Sequence, residues 1–215
     1  IWKMIPMTYA LMWIGSLALA GIPPFAGYFS KDIILESAYA AHTDAGYYAF
    51  AMGILAATLT AFYSWRLLFM TFHGTPRADD RVMAHVHESP KVMIVPLIVL
   101  ATGAVLAGLL AHQTLVGEHA ADFWGAAIVV LPTHPALENA HHVPVWVKYL
   151  PLVVGIGGIS TAYLFYIKRT DLPGKLAGKM QGLYQFLLNK WYFDEVYDTI
   201  FVKPAFKLGR ILWKG

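Results

Sequence analysis

IPMTYALMWIGSLALAGIPPFAGYFSKDIILESAYA (residues 5–40) reads as a membrane span, but it is broken at Gly21-Ile22-Pro23-Pro24 and then carries Lys31 next to Asp32. A Lys beside an Asp in hydrocarbon costs several kcal/mol unless something requires it, so the pair points to an ion or proton path. The break strengthens that reading. Interrupted helices persist in membranes where they are buried in protein or line a polar cavity, and transporters use the freed backbone groups to hold ions.

Composition sets the class. Of 215 residues, 58% are hydrophobic and 13% charged, against roughly 25% charged in a soluble domain, and the mean hydropathy is +0.53. Several long apolar runs account for the difference, which makes this an all-α, polytopic membrane protein. The net charge of +3 is modest, with basic residues at the ends of spans and in the C-terminal stretch, so nucleic acid is not an attractive partner. With no cysteine, the chain holds no disulfide, Cys-ligated zinc or Cys-ligated iron–sulfur cluster. It opens on Ile1-Trp2-Lys3 without Met and stops at Trp213-Lys214-Gly215, so it reads as an internal piece of a longer protein.

Four apolar segments stand out: 5–40, 47–71, 92–111 and 146–167. Each of the last three is long enough to cross a core of about 30 Å. Segment 124–131 is too short and reads as interfacial. Lys and Arg set the orientation. Arg77, Arg81 and Lys91 lie in loop 72–91 and Lys168-Arg169 follow the last span, whereas 41–46 and 112–145 hold no Lys or Arg. Loop 72–91 and residues 168–215 therefore face the cytoplasm or matrix, and 41–46 and 112–145 face outward. Lys148, at the outer end of the last span, snorkels.

As one straight helix, 5–40 would be about 54 Å long, too long for a bilayer. A hairpin at Pro23-Pro24 would put Lys3 outside; one broken crossing puts it inside, in line with the charge bias. The broken crossing is preferred. It puts Lys31 about 12 Å from the outer end, close to the midplane.

Burial disfavours an ammonium and a neighbouring carboxylate favours it, so a Lys held between the two changes protonation state with small rearrangements. A permanently charged Arg does not. Adjacent helical positions point about 100° apart, so Asp32 is not simply the partner of Lys31. It faces the next stretch of path, with Glu36 four residues on towards the outer end. The plainer reading is that Lys31 and Asp32 only fix helix packing through buried pairs. His73, at the inner end of the second span, is a candidate for proton entry. Thr58, Thr60, Tyr63 and Ser64 serve either the same cavity or ordinary interhelical packing. Arg66 reads as a snorkelling anchor or as the partner of a carboxylate on another helix. His85-x-His87 and His141-His142 lack further ligands at recognisable spacing, so the nine histidines, His134 among them, read as loop or span-end residues rather than a metal site.

Residues 168–215 carry nine Lys/Arg against four Asp/Glu, with aromatics throughout and no run of spanning length. This fits amphipathic helices along the inner membrane face, interrupted at Pro173-Gly174 and Pro204.

Three motifs carry a family resemblance. GSLALAGIPPFAGYFSKD (15–32) closely resembles a signature of the antiporter-like L subunit of proton-pumping NADH:quinone oxidoreductase, respiratory complex I, whose mitochondrial equivalent is chain 5. SWRLLFMTFHG (64–74) and NKWYFDEVYDTIFVKP (189–204) look like later parts of the same subunit. The resemblance covers essentially the whole chain and implies its C-terminal third or so. On that reading 1–40 is a discontinuous transmembrane helix, 41–167 holds three more spans with an outer loop at 112–145, and 168–215 leads into a lateral helix. Lys31 matches the family's mid-membrane lysine and Asp32 its outward acidic neighbour. The implied function is proton translocation coupled to electron transfer from NADH to quinone. NAD, FMN, iron–sulfur clusters and quinone would sit in partner subunits, and none in this chain. The implied partners are other membrane-arm subunits, especially neighbouring antiporter-like ones, and the lipid of a bacterial cytoplasmic membrane or an equivalent energy-transducing membrane. Two alternatives stand beside it. One is the related subunit of multisubunit sodium/proton antiporters, which shares the broken-helix region but against which 189–204 argues. The other is a scaffold or clamp within the membrane arm.

Overall fold

The computed structural model describes residues 1–129, 131 and 135–214; His134 and part of segment 124–131 lie outside them. Residues 5–40 form two half-helices, α1 (Pro6–Ala20) and α2 (Ala26–Ala40). Pro6 starts α1, where a missing N–H costs nothing. Gly21 ends it in the left-handed conformation (φ 75°), so that its N–H reaches the Ala18 carbonyl (3.2 Å) and the Ile22 N–H reaches that of Leu17 (3.1 Å). Two prolines then bar continuation, and α2 starts afresh.

Helix α3 (Asp44–Phe72) runs back along both halves. The Thr43 side chain caps it, accepting from the Gly46 N–H at 3.0 Å, which starts the helix three residues earlier than its apolar run suggests. Tyr39 packs on Tyr47 and Phe50, with ring centroids 5.4 and 5.3 Å apart. Trp13 packs on Trp65 (4.6 Å) and Tyr9 on Phe72 (5.1 Å). The start of α1 and the end of α2 thus lie at opposite ends of α3, as one broken crossing requires and a hairpin does not. Tyr47 and Phe72 are only about 37 Å apart along α3. The half-helices fit that length by overlapping: Gly27 of α2 lies so close to the Ala18 carbonyl of α1 that no Cβ has room.

Helices α4 (Asp80–Met83), α5 (Lys91–Leu115), α6 (Ala120–Trp124), α7 (Ala136–Ala140) and α8 (Val145–Tyr163) complete the bundle. Helix α5 packs on both half-helices, with Phe29 and Ala26 against Gly108. Helix α8 runs parallel to α3, pairing Trp146 with Phe50 and Tyr163 with Phe69. The contact is close because Gly158 leaves room for the Thr58 carbonyl, which would lie 2.6 Å from an added Cβ. Lipid offers apolar side chains no hydrophobic drive to associate, so close approach of small residues supplies the attraction. Asp44–Phe72, Lys91–Leu115 and Val145–Lys168 are long and apolar enough to cross a membrane; the last includes a wider turn at Leu164–Lys168. The protein is an all-α, multi-pass membrane protein with a discontinuous helix. Segment 124–131 includes the end of α6 and a short turn, Gly125–Ala127.

Residues Thr170–Gly215 form a second unit. Its helices are α9 (Leu172–Lys179), α10 (Gln181–Leu188), α11 (Phe193–Tyr197) and α12 (Lys203–Lys214). Contrary to expectation, the prolines do not interrupt them. Pro173 sits in the first turn of α9, and Pro204 lies one residue into α12, which follows α11 through a wide turn at Asp198–Val202. Pro173, in a first turn, removes an N–H that has no helical partner, whereas Pro204 lies inside a continuous helical run, directly after the wide turn in which the Lys203 N–H reaches the Asp198 carbonyl. The breaks fall instead at Met180 and at Lys190, Trp191 and Tyr192, whose φ angles are 51°, 62° and 58°. Exposed ion pairs, Lys175–Asp171 (2.7 Å), Lys190–Asp194 (2.9 Å) and Lys203–Asp198 (2.9 Å), line these helices alongside exposed aromatics such as Trp213.

Gly158→Leu is expected to force α8 off the α3 backbone and cost about 1–3 kcal/mol, read as a lower thermal unfolding midpoint of the full-length protein in detergent.

Candidate functional site

A helix that stops inside hydrocarbon leaves carbonyls without partners, and each costs several kcal/mol unless something meets it. Gly21 and Ile22 N–H groups meet two of them. Lys31 meets a third: its Nζ donates to the Ala20 carbonyl at 2.7 Å. The contact exists because α2 doubles back beside the end of α1, and because Gly21 has no side chain. An added Cβ there would strike the Lys31 ammonium. The ammonium thus sits at the negative end of the α1 dipole, half-buried, rather than on a carboxylate.

Asp32, 6% exposed, points elsewhere, and among the described residues neither of its carboxylate oxygens has a hydrogen-bond partner. Glu36, also 6% exposed, lies one turn on. Asp32 is acted on by Lys31 and Glu36, and Glu36 by Lys148 of α8 and His141 just after α7. Tyr28 and Tyr149 complete this group of ionisable side chains. Helices α7 and α8 are brought there by packing: Ala140 sits on Ile33 and Ala40, and Val147 on Leu35 and Phe50. Lys148 is exposed, as a snorkelling residue would be, but its charge also faces Glu36. Sequence reading placed Lys31, Asp32 and Glu36 on one helix; it missed the Ala20 carbonyl, His141 and both tyrosines. An apolar run that ends in Gly-Ile-Pro-Pro is the signal for such a free carbonyl.

His73 lies apart from these residues, at the opposite end of the bundle. Its Nε2 is 3.0 Å from the Tyr9 hydroxyl at the start of α1. Between it and Lys31 lies an apolar cluster of Trp13, Leu17, Trp65, Leu68, Phe69 and Phe72. The indole N–H groups of Trp13 and Trp65 and the Ser64 hydroxyl are buried there without hydrogen bonds. The Thr58 hydroxyl bonds back to the Ile54 carbonyl of its own helix (2.9 Å), and Tyr63 is 53% exposed. Arg66 pairs with no carboxylate among the described residues: its Nε donates to the Tyr166 hydroxyl at 2.9 Å. Among the described residues no three His, Asp or Glu side chains converge on a metal position.

Glu88, in the loop between α3 and α5, also reaches α1. Its carboxylate accepts from the Met7 N–H (2.9 Å), the Thr8 N–H (3.2 Å) and the Thr8 hydroxyl. The Thr8 hydroxyl first, and the amides with it, hold the Glu88 carboxyl below the usual carboxylate range.

The comparisons with known proteins bear on this arrangement. Residues 1–60, which hold α1, the break, α2 and the first half of α3, match a family described as NADH:quinone oxidoreductase/Mrp antiporter, TM. NADH-quinone oxidoreductase subunit L of Rhodobacter capsulatus is 37% identical, aligned over 99% of this chain. Subunit L of Rickettsia bellii and NADH-ubiquinone oxidoreductase chain 5 of Chondrus crispus are each 38% identical, over 98% and 96% of it. The chain is a homologue of the subunit L and chain 5 family. It spans about a third of the length of these relatives, 39% of the first and 32% of each of the others. The resemblance read from the three motifs is thus met along nearly all of the chain, and the break with Lys31 and Asp32 lies within the part that the family model covers.

Two outcomes follow. Gly21→Ala is expected to push the Lys31 ammonium off the Ala20 carbonyl and to cost about 1–2 kcal/mol of strain, read as a lower thermal midpoint of the assembled protein. A carboxyl held low in the folded state stabilises above its ordinary range, about pH 4.3, and loses that contribution as the pH falls through its folded value. Protection of the Met7 and Thr8 amides from exchange, taken relative to their intrinsic rates at each pH, should therefore fall on acidification, and Glu88→Gln should remove that dependence.

Proposed function

We propose that this chain is the membrane part of an antiporter-like subunit of NADH:quinone oxidoreductase, and that it helps move protons across an energy-transducing membrane such as the bacterial cytoplasmic membrane. Lys31 exchanges a proton near mid-membrane and passes it outward by way of Asp32 and then Glu36. The observation that carries this reading is the pairing of an ammonium held by a helix-end carbonyl with an adjacent buried carboxylate that has no partner. A proton placed on Asp32 would neutralise a buried charge that no hydrogen bond stabilises, and the lysine beside it is the nearest source. His73, with Tyr9, is the proposed entry residue on the other side.

Moving one charge against 100 mV costs about 2.3 kcal/mol, and this chain offers no redox chemistry to supply it. The energy comes from electron transfer between NADH and quinone in partner subunits, which hold the flavin and iron–sulfur clusters. Neighbouring antiporter-like subunits and lipid are the proposed partners.

A second reading, the related subunit of a multisubunit sodium/proton antiporter, is favoured by the family description, which names both kinds of system. The relatives named subunit L and chain 5, which align over nearly the whole chain, support the first reading.

Lys31→Met in the full-length protein tests the assignment. In an assembled complex that still reduces quinone, proton uptake by inverted vesicles is expected to fall about tenfold or more, the loss of at least 1.4 kcal/mol of coupling. Normal uptake at a normal rate of quinone reduction would reduce this region to scaffold.

A further inference from the structure

Helix α1 is a rod of 15 residues, about 22 Å long, and both of its ends are held by charged groups from elsewhere in the chain. At its start no local side chain caps it, because Ile5 and Pro6 have nothing to offer. Glu88, some 80 residues away, does so with three hydrogen bonds. At its far end Lys31 holds the Ala20 carbonyl. A carboxylate at the positive end of the helix dipole and an ammonium at the negative end are the favourable arrangement.

We infer that Glu88 is a positioning residue for Lys31: by gripping the first turn of α1 it sets where the Ala20 carbonyl, at the other end of the same half-helix, meets the ammonium. This rests on the reading that Lys31 exchanges protons. Along its length the half-helix packs on α3 and α5 through side chains, whereas at its start Glu88 binds its backbone directly. Its contacts with α3 are largely aromatic, Trp13 on Trp65 and Tyr9 on Phe72, and of its side chains only those of Ser16 and Ala20 are buried. Such ring contacts resist separation more than sliding. At its C-terminal end the chain beyond Gly21 is not helical, and that end is met by Gly27 against Ala18 and by Lys31 on the Ala20 carbonyl. A displacement at the Glu88 end is therefore passed to Ala20 by a rigid helix rather than absorbed within it.

The consequence is specific to protonation. An acceptor on an ammonium favours the protonated amine, and withdrawing the acceptor lets the amine release its proton at lower pH. Among the described residues Asp32 is the ionisable side chain that acts on Lys31; the elements packed on α2 from α3, α5, α7 and α8 bring it no other. Lys148 and His141 act on Glu36 instead. Among the described residues, the groups that act on the Glu88 carboxylate are the Thr8 hydroxyl and the amides of Met7, Thr8 and Ser89. Loss of the Glu88 grip thus reaches Lys31 through one contact, the Ala20 carbonyl.

The experiment is proton uptake per NADH oxidised, followed through the alkaline range in vesicles carrying the full complex with Glu88→Ala, Glu88→Gln, Thr8→Val or Lys31→Met. With Lys31→Met silent, Glu88→Ala is expected to move the alkaline limb of uptake to lower pH by about one unit, a tenfold change in proton affinity. Glu88→Gln, which keeps an acceptor oxygen, should restore about half of that shift, and Thr8→Val, which removes one of three bonds, should give a smaller shift in the same direction. A wild-type limb in Glu88→Ala, or in Thr8→Val should Glu88→Ala fail to assemble, overturns the role of Glu88 and leaves that of Lys31 standing. A merely structural Glu88 lowers the amount of assembled complex without moving the limb, which also overturns it. Normal uptake by Lys31→Met overturns both.

Discussion

The hydrogen bond from the Lys31 ammonium to the Ala20 carbonyl is the contact on which the rest of the bundle depends. A helix interrupted in hydrocarbon exposes carbonyls that water would satisfy elsewhere, and a span cannot be broken unless each finds a donor. Two are met by the turn of chain at Gly21. The third is met by a charge, and that charge is itself tolerable at this depth because the carbonyl and the helix dipole receive it. Each therefore makes the other possible. Remove the break and the lysine has no acceptor; remove the lysine and the break leaves a bare carbonyl.

That mutual need sets demands on the sequence around it. The doubled-back chain fits only if α1 and α2 touch backbone to backbone, which Gly27 permits against Ala18. It also requires that Gly21 present no side chain where the ammonium lies. The overlap shortens the crossing to the length of α3, whose other face then accepts α8 through Gly158. Small residues thus occur where two backbones meet, and aromatic residues fill the wider gaps, as with Trp13 and Trp65.

Much of this was legible in the residues. Three of the four apolar segments became helices long and apolar enough to cross a membrane and the fourth became the two half-helices, because period and length are local properties that the bilayer enforces. Gly-Ile-Pro-Pro announced the break, and the arithmetic of a 54 Å span, about twice what is needed, required it to shorten the path. What remained hidden was contact between distant segments. Nothing near Glu88 in sequence links it to Thr8, and nothing near Lys31 names Ala20 as its acceptor, since the local neighbour Asp32 draws attention first. Prolines misled for the opposite reason. Pro173 and Pro204 look like breakers, but in a first turn the missing N–H of Pro173 has no helical partner to lose, Pro204 is carried by the wide turn before it, and the breaks fall at Met180 and at Lys190–Tyr192, which sequence does not mark.

The polar groups around Lys31 are not distributed evenly, and the imbalance has a physical consequence. On the α2 side, Asp32, Glu36, His141 and Lys148 follow one another towards one end of the bundle. On the α1 side, Trp13, Trp65, Phe69 and Phe72 separate Lys31 from His73, and the polar atoms present there are indole N–H groups and a hydroxyl without partners. An indole donates but does not accept, so it can orient a hydrogen-bonded chain without itself relaying a proton. A charge at Lys31 therefore meets ionisable groups in one direction and a largely apolar layer in the other. Such a layer raises the cost of a charge crossing it in either direction, because the energy of a charge climbs steeply where no counter-charge attends it. On the reading proposed above, the step outward from Lys31 is favoured by the ionisable groups on that side rather than by the lysine itself.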